Sequence, residues 1–142
     1  MSPLMSDCYV LATERSARLA TSFVSHFVPS HTATWNPDDP REVLGLKSGA
    51  SLAEIFRFLQ DNPEKEYTVY LRNTREGSPY YAILAFCADG SLILGLSGDE
   101  DQTAATALLA QLEVFSGGKG YWSIEEPPEV SSTSFLERRS LG

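Results

Sequence analysis

The chain is short of the side chains from which catalytic and metal chemistry is built. It has two cysteines and two histidines in 142 residues. Cys8 and Cys87 stand too far apart to form a disulfide framework, and a reduced chain is expected. His26 has no second ligand four residues on, which makes it a helix-end or surface histidine rather than a metal ligand. No Gly-x-Ser-x-Gly, phosphate-binding glycine loop, His-Glu-x-x-His or Cys-x-x-Cys occurs. Asp99-Glu100-Asp101 are adjacent acids, whereas an EF-hand loop alternates its ligands around a central glycine. His26, His31, Cys8 and Cys87 are the general bases and nucleophiles to be had. Both cysteines fall in apolar runs, where free cysteine behaves as a small buried hydrophobe. The expectation is a protein that is not an enzyme and carries no cofactor and no metal.

Basic residues are scarce too. Eleven Lys and Arg face nineteen Asp and Glu, for a net charge of −8 and a pI near 4.7. That balance excludes a phosphate-binding surface, which needs clustered bases, and with it nucleic acid. No run approaches the roughly 18 apolar residues of a membrane span. Met1-Ser-Pro-Leu-Met-Ser-Asp7 has neither the basic nor the apolar region of a secretory signal, so a cytoplasmic location is expected.

What is present is an ordinary globular balance, 42% hydrophobic and 21% charged. Its centre is the stretch 67–96, which reads as three strands: Tyr67 to Arg72, Tyr80 to Phe86 and Ser91 to Leu96. Gly77-Ser78-Pro79 and Asp89-Gly90 break them, and turns this short force antiparallel pairing. Alternation puts Tyr67, Val69 and Leu71 on one face of the first strand and Thr68, Tyr70 and Arg72 on the other. The second strand is apolar on both faces, the mark of a central strand covered twice. Helices would cover one face. The other would be covered by a loop or the C-terminal segment, or would in part meet another protein.

Around this meander the pattern predicts three helices. Residues 14–28, capped by Thr13, carry the stripe Leu19, Ala20, Phe23, Val24 and Phe27. Residues 51–60 open on the capping box Ser51-Leu-Ala-Glu54 and bury Leu52, Ile55, Phe56 and Leu59. Residues 101–115 bury Ala105, Leu108, Leu109, Leu112 and Phe115, with Ser116-Gly-Gly118 as the stop. Cys8 to Ala12 and Gly120 to Glu125 read as further strands, and Ser30 to Trp35 as an edge strand. Glu42 to Leu46 reads as another extended piece, within the irregular segment 29–49. The expected fold is α+β: an about five-stranded, largely antiparallel sheet with three helices. Residues 1–129 would form a single domain and 130–142 a mobile tail, with a turn of helix near Phe135 to Arg138.

The acids are unevenly placed. From Asp99 onward there are eight acids against three bases, whereas residues 1–60 hold six against five. Such an end would attract a basic partner, although helix capping and solubility account for part of it. Candidate contact residues are Asp99, Glu100, Asp101, Tyr121, Trp122, Glu125 and Glu126, acids beside aromatics. Alternation must also turn Tyr121 or Trp122 inward.

The order of elements, with Tyr9-Val-Leu-Ala-Thr13, Gly90-Ser-Leu-Ile-Leu-Gly-Leu-Ser97 and Ile124-Glu-Glu-Pro-Pro128, resembles small bacterial immunity proteins encoded beside polymorphic or contact-delivered toxins. The resemblance implies an inhibitor that binds one cognate protein toxin, here with a basic surface, and blocks its active site or assembly. Such families share no one set of binding residues, so it assigns none. Two other readings remain open: an adaptor or chaperone for another protein, and a small-molecule enzyme or sensor with a pocket beside segment 29–49. A homo-oligomer is compatible with each.

Overall fold

The meander pairs as its turns dictate. In the computed structural model, which describes residues 5–34, 40–47, 49–77, 79–99, 102–124 and 131–141, β3 (Tyr67–Asn73) runs antiparallel to β4 (Tyr81–Phe86), with Tyr70 opposite Ile83. β4 runs antiparallel to β5 (Leu92–Asp99), with Ile83 opposite Gly95. Gly90, at φ 89°, supplies the left-handed residue of the β4–β5 turn. β1 (Met5–Leu11) lies against β5, and β6 (Gly120–Ile124) against β1. β2 (His31–Thr34) is the edge strand expected there and pairs with β3. The order across the sheet is β2-β3-β4-β5-β1-β6, every neighbour antiparallel.

The described residues thus form six strands and five helices, where about five and three were expected. β2 completes the sheet, and of the two additional helices one comes from a segment read as extended and the other enlarges an expected turn of helix. Pro40 opens a single turn, α2 (Pro40–Val43), because proline suits a first helical position. Gly45 at φ 73° then ends it. Glu42 to Leu46 is therefore a turn of helix and its cap, not an extended piece. Residues Ser132–Leu141 form α5, and its Phe135 is fully buried. The turn of helix expected near Phe135 to Arg138 lies within it. Trp35 lies outside the described residues.

The three expected helices are present. α1 (Ala17–Phe27) starts later than its stripe suggested: Ser16, not Thr13, is the N-cap, and its hydroxyl accepts from the Leu19 N–H at 3.0 Å. Ser51 caps α3 (Leu52–Asp61) as the capping box requires. α4 spans Gln102–Ser116. All three lie on one sheet face. Phe23, Phe27, Ile55, Phe56, Leu59, Leu108 and Leu112 there meet Cys8, Val10, Val69, Leu71, Leu84, Leu94 and Leu96.

The opposite face has its own smaller core. Tyr9, Ile83, Ala85, Cys87, Ile93 and Tyr121 pack with Phe135 of α5, and Leu11 and Tyr70 border them. Glycine permits two close approaches to β1, at Gly95 on this face and at Gly120, opposite Val10, on the helix side. A Cβ at Gly95 would stand 2.5 Å from the Tyr9 ring, so the missing side chain is the space that ring occupies. A Cβ at Gly120 would stand 1.9 Å from the Tyr9 carbonyl oxygen, so β6 reaches β1 through a bare backbone.

Candidate functional site

Antiparallel pairing places opposed residues on the same face, so the registers define rows across the sheet. On the face away from α1, α3 and α4, one row runs Leu11, Ile93, Ala85 and Thr68. The next runs Tyr121, Tyr9, Gly95, Ile83 and Tyr70. A third runs Asp7, Ser97, Tyr81, Arg72 and Thr32. The first two are mostly apolar and buried. The third is polar, and its Asp7, Tyr81, Arg72 and Thr32 are partly or fully exposed.

α5 accounts for the difference between the rows. Asp89, in the β4–β5 turn, accepts from the Ser132 N–H at 2.8 Å and the Ser132 hydroxyl at 2.9 Å, pinning the start of the helix. Farther along, the Phe135 ring packs tilted against that of Tyr121 with centroids 5.2 Å apart, and the Arg138 guanidinium lies 5.4 Å from the centre of the Tyr121 ring. Tyr121 in turn meets Tyr9 at 5.7 Å. Thr68, Tyr70 and Tyr81 keep part of their surface.

At the centre of the polar row is a carboxylate. Asp7 Oδ2 accepts from the Tyr9 hydroxyl at 2.9 Å, and its Oδ1 accepts from the Ser97 hydroxyl. Burial pushes the Asp7 carboxyl above its usual range, while the hydrogen bonds from Ser97 and Tyr9 pull it back. Burial and the Asp7 charge together raise the Tyr9 phenol, and the same two causes raise that of Tyr70. Among the described residues no cationic side chain forms an ion pair with Asp7; the pairs there are Lys47–Glu54 and Arg57–Asp61, both exposed.

Of the expected site residues, Tyr121 and Trp122 lie on opposite faces of the sheet. Tyr121 is buried in the smaller core. Trp122, the next residue, points to the other face and packs against the helix-side core. Neither is the exposed aromatic that the sequence offered. Asp99 ends β5 opposite Met5. Glu100, Asp101, Glu125 and Glu126 lie outside the described residues. The group that does assemble, Asp7 with the hydroxyls of Tyr9 and Ser97, and with Tyr81 paired to Ser97 and Tyr70 within reach of its charge, was not picked out. Asp7 was placed before a strand beginning at Cys8. The available signal was its i, i+2 spacing from Tyr9, which puts both on one face once the strand is extended by two residues.

Elsewhere the chemistry is muted. Cys8 and Cys87 are free and buried. Burial pushes the Cys8 thiol up to about 12 and raises that of Cys87, so both are poor nucleophiles at neutral pH. His26 is exposed and stacks beside Phe115, centroids 5.4 Å apart. Among the described residues no three His, Cys, Asp or Glu side chains are grouped to hold a metal. No described helix is long and apolar enough to cross a membrane. The depressions along α4, lined by Thr103, Thr106, Ala107 and Ala110 and then by Glu113 to Lys119, are wide open to solvent. No family model, curated protein or solved structure matches the chain, so its function is argued from this surface.

Proposed function

We propose that the chain is an immunity-type inhibitory binding protein, which neutralises a cognate basic toxin in the cytoplasm by direct contact and without turnover. The observation that supports this is the half-covered second face of the sheet. α5 buries one part of it, and the remainder presents tyrosines around a carboxylate that no described base compensates. A partly buried charge without a counter-charge costs free energy in the isolated chain, and a cationic partner recovers that cost on docking. The net charge of −8 draws such a partner in from a distance.

Co-expression with the product of the adjacent reading frame tests the reading. Rescue of growth together with co-purification is the expected result. Co-purification without rescue would favour an adaptor, and neither result would reject a partner encoded there. Replacing Glu125 and Glu126 with lysine should slow association, with a smaller effect as salt rises, and leave the fold intact. An unchanged rate at low salt would remove that segment from the interface.

A further inference from the structure

Asp7 has a donor at each oxygen and capacity left over. The Tyr9 and Ser97 hydroxyls each give one hydrogen bond, so each carboxylate oxygen keeps a lone pair for a second donor. In the same row the next base is Arg72, three strands away, about 14 Å at the spacing of neighbouring strands. We infer that Asp7 is the subsite for one guanidinium, an arginine side chain presented by the protein partner. The inference rests on the inhibitory reading for whose arginine this is, but not for whether the site takes one.

Three observations select a guanidinium. Asp7 is partly buried, and a guanidinium sheds its water more readily than an ammonium. Its two parallel donors match the two free lone pairs of the carboxylate. Tyr81, beside Ser97 in the row, and Tyr70, whose phenol the Asp7 charge reaches, keep exposed ring surface on which a planar cation can lie. A metal ion would need more ligands than this one carboxylate, and no described group of three supplies them.

The test is an NMR titration of the whole labelled chain with the acetyl methylamides of arginine, lysine and citrulline. Arginine should give saturable shifts confined to amides near Asp7, Ser97 and Tyr81. Lysine should bind weaker by about tenfold or more, and citrulline, which keeps the shape without the charge, should give no response. Asp7→Asn should abolish the arginine shifts, and Asp61→Asn, at an exposed acid of α3 on the other side of the sheet, should keep them. Equal responses to arginine and citrulline, or shifts spread over the acidic surface, would overturn the site. An equal response to lysine would overturn the choice of guanidinium. The arginine–citrulline comparison uses the unaltered chain and decides the matter even where a variant fails to fold. Co-expression separates the two proposals: a wild-type chain that takes arginine but rescues no cell loses the inhibitory reading and keeps the site. A rescue that Asp7→Asn leaves unchanged does the reverse.

Discussion

Arg15 ties together more of the chain than any stripe residue does. It sits just before α1, and its guanidinium donates to the carbonyls of Leu59 at 2.8 Å, Cys87 at 2.5 Å, Lys65 at 2.7 Å and Asn62 at 3.2 Å. It also lies 5.3 Å from the centre of the Phe86 ring. These acceptors include carbonyls at the C-terminal end of α3, which lack partners within the helix and carry the negative end of its dipole. Arg15→Ala should cost on the order of 2 kcal/mol, because charge-assisted bonds are lost and acceptors are left unpaired. Arg15→Lys should recover less than half of that, since an ammonium cannot span the fork. Urea unfolding measures both, and a lysine variant as stable as the wild type would refute the role. Nothing in the sequence marks this residue: these partners lie 44 to 72 positions away. Asp7 should behave in the opposite sense. Its folded-state carboxyl is raised, so its contribution to stability is complete at acid pH and is lost as pH rises through that raised value. Asp7→Asn should therefore gain on the wild type between pH 4 and pH 7. A urea midpoint difference that shrinks over that interval would contradict the burial of the charge.

At the scale of elements, α5 is the piece on which the second face depends. Phe135→Ala should cost about 3 kcal/mol or more, the usual loss for an aromatic removed from a core. Because Cys87 shares that core, labelling of its thiol should accelerate in the same variant. Unaltered labelling would mean that α5 covers nothing. Hydrogen bonds from Ser91 hold the Asp89 carboxyl well below its usual range, and bonds from Ser132 add to them. A lowered carboxyl supplies stability that is present above the ordinary carboxylate range and is lost as pH falls through the depressed value. Acid should therefore loosen the α5 end of the molecule, and Asp89→Asn should loosen it at neutral pH. Tyrosine fluorescence during acid titration reads both. The sequence showed the helix-side elements well, because α1, α3 and α4 repeat apolar residues at helical spacing and short turn sequences separate the apolar runs of β3, β4 and β5. It showed only one turn of α5, whose serine- and arginine-rich run buries Phe135 without a helical stripe of apolar residues around it. It also misplaced the start of α1, where Thr13 and Ser16 were both chemically fit to cap. It did not separate Tyr121 from Trp122 as candidate contacts, because both faces of the sheet are covered at β6 and each ring packs into a different core.

For the whole molecule, charge should govern how quickly a partner arrives and the open sheet face how long it stays. Raising salt should lower the association rate with a basic partner far more than it raises the dissociation rate, and stopped-flow binding at two ionic strengths separates them. A dissociation rate that carried the whole salt effect would place the charged contacts at the heart of the interface. The position of β1 between β5 and β6 has a different bearing, on how the chain reaches this state. Both sheet neighbours of β1 lie far along the sequence, at 92–99 and 120–124, so its pairing waits on residues synthesised much later. Until residues 92–99 emerge, Cys8, Tyr9 and Val10 have no strand to lie against, and until 120–124 follow, one edge of β1 stays open. Such long sequence separations slow folding, because the closure entropy of a long loop is spent before the pairing rewards it. A nascent chain stalled before β5 would hold the apolar β1 without its partners and ready to pair with a wrong edge.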